Sequence, residues 1–306
     1  MTKRIGLLVG WEESFPVAFL ERANALPGVE AGLVRIGGIG ERHVEGFDVL
    51  VDRVSHKVKH YRCYLKAAAI AGAYVINDPF WSSADDKFVG YTLAARLGVA
   101  VPRTVMLPQK TYPPAVIPER SLRNLEYPLD WRGIVETVGF PAVLKPADGS
   151  GAEVSIVTSA EGLLAAYDAS GSSVMVLQEL IAFDRFVRCL CVGQDEILPL
   201  EYDPHRRCYL PHGDERWLPQ DLYDRIVGDA RTLNRALGYD LNLVELAVRD
   251  GVPYALDFTN PAPALHKEQL PAPAFDRVVD ALVRLAVERA GRARTRDAYR
   301  FGQLLG

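Results

Sequence analysis

The chain has 306 residues, 49% of them hydrophobic and 24% charged, which excludes a disordered tail protein, a collagen and a coiled-coil rod. At roughly 100–200 residues per domain, that length predicts two or three compact units, each able to bury its own core. With Lys+Arg 35 against Asp+Glu 39, a net charge of -4 and no dense basic run, nothing in the balance attracts a polyanion, and no nucleic-acid partner is expected.

The opening, MTKRIGLLVGWEESF, sets basic residues before an apolar run. From Ile5 to Val9 that run is too short for a signal-peptide core, and Glu12–Glu13 follow, so it predicts a buried strand. PVAFLERANAL predicts a helix and GVEAGLVRIGG a second strand. FDVLVDRV (Phe47 to Val54) predicts a third, RCYLKAAAIAG a helix, and AYVIN a fourth strand ending at Asn77. Strands alternating with helices imply a parallel sheet with crossovers. Ligands of such sheets sit beyond the strands' carboxyl ends, here at Gly10–Trp11–Glu12 and Asp52–Arg53.

A polar turn, SSADDK, opens the next helix, with Ser82 or Ser83 as cap and Asp85 and Asp86 at its positive end. The helix FVGYTLAARLG stops at Gly98, before the strand VPRTVML. The proline-rich stretch from Pro108 to Pro128 is long for a connection and predicts a surface excursion or a partner-facing loop. From Gly139 the pattern changes to short strands: FPAVLKPADGSGAEVSIVTS, then the helix AEGLLAAYDAS, then VMVLQELI. RFVRCLCVG and EILPLEYD predict antiparallel strands, followed by a helix (LYDRIVGDARTLNRALG). NLVELAVRDGVPYALDFTN predicts a hairpin turning at Asp250–Gly251, and AFDRVVDALVRLAVERAGR an amphipathic helix.

No stretch approaches the ~20 apolar residues of a membrane helix, so no membrane partner is expected. Of Cys63, Cys189, Cys191 and Cys208, only Cys189 and Cys191 are close. On a strand their spacing puts both on one face, read as buried reduced thiols of a cytoplasmic protein. A zinc site would need more ligands.

Three segments carry chemistry. The chain lacks G-x-x-x-x-G-K-[ST], and lacks G-x-G-x-x-G after its first strand, which argues against a P-loop enzyme and a nicotinamide enzyme. In FPAVLKPADGSG a strand delivers Lys145 beside a loop of small residues, an arrangement in which an ammonium offsets phosphate charge while backbone N–H groups cradle oxygens. In the hairpin, Glu245 and Asp257 lie on paired strands with Asn260 nearby. Two carboxylates and an amide oxygen suit magnesium, and both acids sit in apolar runs where a lone charge is costly. The strand VLQELI, ending in Gln178–Glu179–Leu180, can present backbone groups to an adenine edge and a carboxylate to ribose, or can equally be a core strand.

In this order and spacing the pieces resemble an ATP-grasp enzyme over nearly the whole chain, closest to the glutathione synthetase and D-alanine–D-alanine ligase branch. The resemblance implies an α/β (α+β) ATP-grasp fold. Residues 1–82 would form a Rossmann-like first domain, residues 83–180 a central lobe with a proline-rich insertion at 108–128, and residues 181–306 a C-terminal lobe with the metal-binding hairpin. It implies Lys87, in Asp86–Lys87, and Lys145 near the nucleotide phosphates, under a mobile loop at Gly149, Ser150 and Gly151. It makes Gln178, Glu179, Leu180 and Ile181 the adenine-holding hinge, and Arg188, in DRFVRCLCVG, the cation near transferred phosphate or substrate carboxylate. Glu245, Asp257 and Asn260 become magnesium ligands, with manganese as a substitute. Two features depart from the pattern. The usual E-x-N ending is here Asp257-Phe258-Thr259-Asn260, one residue longer, which a bulge could accommodate, and the loop is poorer in glycine than in many relatives.

The reaction implied is ATP-dependent joining of a carboxylate to an amine through an acylphosphate, on a small amino-acid-like or peptide-like substrate. A small-molecule kinase and a nucleotide-binding module without turnover are the alternatives. The substrate-side candidates are Arg53, His56 and Arg206, with Arg53 equally readable as a structural salt-bridge residue. The partners expected are small carboxylates and amines, with a homodimer as an extrapolation from relatives.

Overall fold

The computed structural model describes residues 2–40, 46–81, 87–148, 154–212 and 217–290, with backbone only at 118–119. Their contacts divide the chain into two units. Met1–Ala84, Arg185–Leu246 and Asp257–Gly306 form the first, and Asp85–Asp184 with Ala247–Leu256 the second.

The first unit begins with β1 (Lys3–Leu8), α1 (Ser14–Asn24), β2 (Val29–Leu33), β3 (Val49–Asp52), α2 (Lys59–Ile70) and β4 (Tyr74–Ile76). The strands form a parallel sheet in the order β2-β1-β3-β4. Strand alternation sends Ile5, Leu7, Val49, Val51 and Ile76 onto Phe15 and Phe19 of α1. It sends Leu8, Leu50 and Val75 onto Tyr64, Leu65 and Ala68 of α2. Burial on both faces is why β1, β3 and β4 read as continuous apolar runs, whereas β2, at the sheet edge, is only partly buried. Gly6 is imposed by packing: a Cβ there would lie 2.6 Å from Val34 and 2.7 Å from Leu50.

The second unit carries α3 (Lys87–Arg96), β5 (Thr104–Leu107), α4 (Pro118–Ser121), α5 (Trp131–Val138), β6 (Ala142–Pro146), β7 (Ser155–Val157), α6 (Ala160–Ala169) and β8 (Met175–Glu179). Its antiparallel sheet runs β5-β8-β6-β7. One face, with Leu107, Ala142, Leu144, Val157, Met175 and Leu177, joins Val138 of α5 and Leu163 and Tyr167 of α6 in a core. Asp130 and Ser159 cap these two helices by accepting from the N–H groups of Gly133 and Gly162. By alternation Thr104, Met106, Lys145, Val176 and Gln178 occupy the other face. The proline-rich stretch 108–128 contains only the short α4.

The chain then returns to the first unit with β9 (Arg185–Val192), β10 (Glu196–Asp203), β11 (Cys208–Tyr209), α7 (Gln220–Leu237), β12 (Leu241–Arg249), β13 (Val252–Asn260) and α8 (Ala272–Arg289). The sheet order is β11-β10-β9-β12-β13. The turn joining β12 to β13 has φ 53° at Asp250 and 73° at Gly251, the positive pair that a two-residue hairpin demands. Where three segments were expected, the first and last share a unit. The reason is α8, whose Phe275, Val279, Leu282 and Ala286 join Ile5 and Val49 of the parallel sheet and Leu190, Val192, Leu241 and Leu243 of β9 and β12 in one core. Among the described residues no helix is long and apolar enough to cross a membrane.

Candidate functional site

On the open face of the second unit's sheet, β6 places Lys145 opposite Val176 of β8. Its ammonium donates to Tyr91 Oη and to Gln178 Oε1, each at 2.8 Å, and lies 5.2 Å from the Tyr91 ring centre. The chain of bonds continues in both directions. Tyr91 donates to the Leu256 carbonyl at 2.6 Å, while Gln178 Nε2 donates to Thr104 Oγ1 at 2.9 Å. The flexible lysine side chain is thus held at its tip by partners from α3 and β8, and the amine points where the sheet directs it. Lys87 opens α3, half-buried, and its N–H donates at 3.0 Å to Ala147 O, two residues beyond Lys145. The backbones bearing the two expected phosphate-side lysines therefore meet within one unit. Gly149, Ser150 and Gly151, and the capping positions Ser82, Ser83, Asp85 and Asp86, lie outside the described residues.

The hinge residues have more varied surroundings than a row of adenine contacts. Gln178 is buried and its amide is committed to Lys145 and Thr104. Leu180 N–H donates to Pro141 O at 3.2 Å, and the Ile181 side chain is buried. Glu179 accepts from Arg103 Nε at 2.9 Å and Arg249 Nη1 at 3.1 Å. Burial alone would raise the Glu179 carboxyl, but these hydrogen bonds outweigh it and hold its pKa below the ordinary range. Its charge is spent pinning Arg249, whose guanidinium lies 4.7 Å from the Tyr254 ring centre, so the hairpin tip belongs to the second unit.

In the first unit, β9 presents Arg188 and β12 presents Glu245. Arg188 Nε and Nη2 both reach Glu245 Oε1, at 2.9 and 2.6 Å. The guanidinium lies 3.5 Å from the centre of the Tyr202 ring and 5.8 Å from that of Tyr209, and those two rings meet edge to face 5.1 Å apart. Burial opposes the positive charge on Arg188, but Glu245 and the tyrosines more than compensate, and its pKa is raised. Sequence inspection missed the tyrosines, because a cation–π wall built from β10 and β11 has no spacing signature.

On β13 the alternation of buried and half-buried residues slips by one at Leu256–Asp257, both half-buried, the displacement a bulge produces. Thr259 N–H reaches Asp257 Oδ1 at 3.5 Å. Asn260, half-buried, ends the strand. Beside it the buried Asn242 amide bridges this stretch, donating to Phe258 O at 2.8 Å and accepting from Asn260 N–H at 3.0 Å. The donor set Glu245, Asp257 and Asn260 is all oxygen and fits magnesium chemically, although Glu245 shares an oxygen with Arg188. Among the described residues no three His, Cys, Asp or Glu side chains form a metal-holding group, so two carboxylates would leave most positions of an ion to an amide, water or phosphate.

The substrate-side candidates fare differently. Arg53 is 1% exposed and paired with Glu12, itself 9% exposed. It also donates to the Pro263 carbonyl and lies 5.1 Å from the Phe15 ring centre. It is a buried structural ion pair, which corrects its reading as a substrate contact. Arg206 is 78% exposed on the turn after β10, and among the described residues its side chain pairs with Asp203, at 3.6 Å. His56 keeps a position at the carboxyl end of β3; packing lowers its pKa, with Asp52 opposing. Cys189 and Cys191 are fully buried, and burial pushes the Cys189 thiol far up and that of Cys191 to about 12, so neither is a nucleophile.

No protein-family model matches the sequence, and no curated protein does. Solved structures do match. A D-alanine–D-alanine ligase from Bacillus anthracis, solved with ATP, superimposes with a TM-score of 0.66 at 16% identity, covering 95% of this chain and 99% of its own. The chain has the ATP-grasp fold. A RimK-domain ATP-grasp protein from Sphaerobacter thermophilus gives the same TM-score, 0.66, at 16% identity over 93% of this chain and 99% of that one. The ATP-grasp ligase PsnB, solved with a minimal precursor, Mg and ADP, gives 0.63 at 14% identity over 94% and 98%. The ATP-grasp fold thus spans this chain almost end to end, as the ordered motifs implied.

Proposed function

We propose that this chain is an ATP-dependent, ADP-forming ligase that joins a carboxylate to an amine through an acylphosphate, on a small amino-acid-like or peptide-like substrate. The observation that carries the reading is Arg188, held by Glu245 and Tyr202 on the sheet that also bears Asp257. It supplies a positioned cation and two carboxylates on a fold shared with ligases that use ATP.

The first step brings anions together, so its catalysis is charge neutralisation and positioning. Magnesium, when bound, supplies a divalent charge on phosphate oxygens. Glu245 and Asp257 would hold it, with the Asn260 amide oxygen as a third donor. Lys145, aimed by Tyr91 and Gln178, would meet phosphate charge, with Lys87 beside it. Arg188 would meet the carboxylate or the transferred phosphate, and its fixed orientation reduces the reorganisation demanded at that moment. Gln178, Glu179, Leu180 and Ile181 would bound the adenine, with Glu179 acting through Arg103 and Arg249 rather than on ribose. No cysteine or histidine is needed as nucleophile or base.

The test is ADP release over paired amino acids and small acids, with mass detection of product. The ligase reading expects release that requires both an acid and an amine, and a product lighter than their sum by one water. Release with an acid or alcohol alone and a stable phosphorylated product would establish the kinase alternative instead.

A further inference from the structure

Tyr91 lies on α3, buried, and its hydroxyl bridges two strands. It accepts from the Lys145 ammonium of β6 at 2.8 Å and donates to the Leu256 carbonyl of β13 at 2.6 Å. The order of protons follows from the partners: an ammonium only donates and a carbonyl only accepts. Donation to the carbonyl makes the phenol oxygen a better acceptor, and the charged donor strengthens the bond it receives. The strand reached in this way depends on such support. β13 is an outer strand of its sheet, and its burial alternation slips at Leu256–Asp257, where a bulge weakens the ladder. Just before the slip, Ala255 N–H donates to the Ala100 carbonyl at 2.8 Å, so two successive residues of β13 are tied to the stretch from α3 to Ala100. Asp257 follows directly. Tyr91, Lys145, Gln178 and Leu256 all belong to the second unit.

We propose that Tyr91 is a positioning residue with two tasks: its hydroxyl sets the phosphate-side lysine and, through the Leu256 carbonyl, the backbone that carries the metal carboxylate Asp257. The roles of Lys145 and Asp257 rest on the ligase reading above. Gln178 provides the contrast. It holds the same ammonium at 2.8 Å, but its amide then donates to Thr104 on β5 rather than to β13. Removing the Gln178 amide therefore disturbs the lysine alone, whereas removing the Tyr91 hydroxyl disturbs the lysine and the strand. A phenylalanine ring keeps the helix packing and the 5.2 Å approach of the ammonium to the ring, so Tyr91→Phe isolates the two hydrogen bonds. A residue 54 positions from one partner and 165 from the other thus brings the charge for the phosphates and the ligand for the metal into register.

The experiment is calorimetry on the full chain with AMP-PNP, a non-hydrolysable ATP analogue, in EDTA and in saturating magnesium. The ratio of the two affinities reports how much more tightly magnesium is held on the protein-bound nucleotide than in solution, because the free nucleotide is the same in every titration. Gln178→Met should weaken AMP-PNP in both solutions and leave that ratio within about twofold of the wild type's. Tyr91→Phe should weaken AMP-PNP in both and also lower the ratio, by about three- to tenfold, the worth of one buried hydrogen bond. Tyr91→Met removes the ring as well; it should reproduce the drop, and it carries the test if the phenylalanine variant does not fold. A ratio unchanged in whichever Tyr91 variant folds, or lowered equally in Gln178→Met, would overturn the second task and reduce Tyr91 to packing. That result leaves the ligase reading standing. No AMP-PNP binding by the wild type in either solution would overturn the nucleotide site itself and this role with it.

Discussion

Two arginines in the first unit each face a glutamate, and burial separates their roles. Arg53 and Glu12 are 1% and 9% exposed, with Arg53 closed in further by Phe15 and the Pro263 carbonyl. Arg188 and Glu245 are 23% and 22% exposed, on an open stretch of sheet beside two tyrosines. The first guanidinium is walled in, and its Nη1 has no partner among the described residues. The second retains access to solvent and hence to a substrate. A pairing by itself therefore does not distinguish a structural arginine from a chemical one; its accessibility does.

Breaking each pair should produce opposite signatures. Glu12→Ala leaves a buried, uncompensated guanidinium, and we expect about 3–5 kcal/mol lost from unfolding free energy, read by denaturant titration. A loss below about 1 kcal/mol would show that Arg53 is not confined as described. Arg188→Ala should instead slow ADP release about 10²–10³-fold while the melting curve barely moves, and Arg188→Lys should restore little of the rate, because the bidentate fork is lost. Full activity in Arg188→Ala would remove it from the chemistry. Tyr202→Leu tests the wall behind it: losing one cation–π contact of about 0.5–2 kcal/mol should lower kcat several-fold with KM nearly unchanged. A KM effect alone would make Tyr202 a substrate contact instead.

The smallest effect concerns Glu179, whose carboxyl pKa is held down in the folded state by Arg103 and Arg249 against the effect of burial. A depressed folded-state value contributes stability above the ordinary glutamate range, about 4.3, and loses it as pH falls from there through the lower folded value. Glu179→Gln should flatten that acid limb of the stability profile and leave the neutral-pH plateau slightly lower. An unchanged acid limb would mean that the two arginines do not act on this carboxylate.

Most of the fold was legible because its signals are local. The parallel strands, the Asp250–Gly251 turn and the α7 and α8 helices each follow from periodicity and turn chemistry within a few residues. What the linear pattern did not disclose depends on residues far apart in the chain. Arg53 reads as a cleft arginine until Glu12 and Pro263 close over it, from 41 residues before and 210 residues after it. Lys145 was found by its motif, but the Tyr91 and Gln178 contacts that aim it were not, since they join α3, β6 and β8. The merging of the chain's first and last segments likewise needed the α8 core, which no single segment announces.

The most direct measurement is the melting temperature of the wild type and of Lys145→Gln with ATP and magnesium together. For the wild type, nucleotide at about 100 times its dissociation constant adds roughly 2.7 kcal/mol by binding linkage, an upward shift of several degrees, and Lys145→Gln should lose most of it. No shift in the wild type, or an equal shift in both proteins, would contradict a triphosphate held by the lysine on β6.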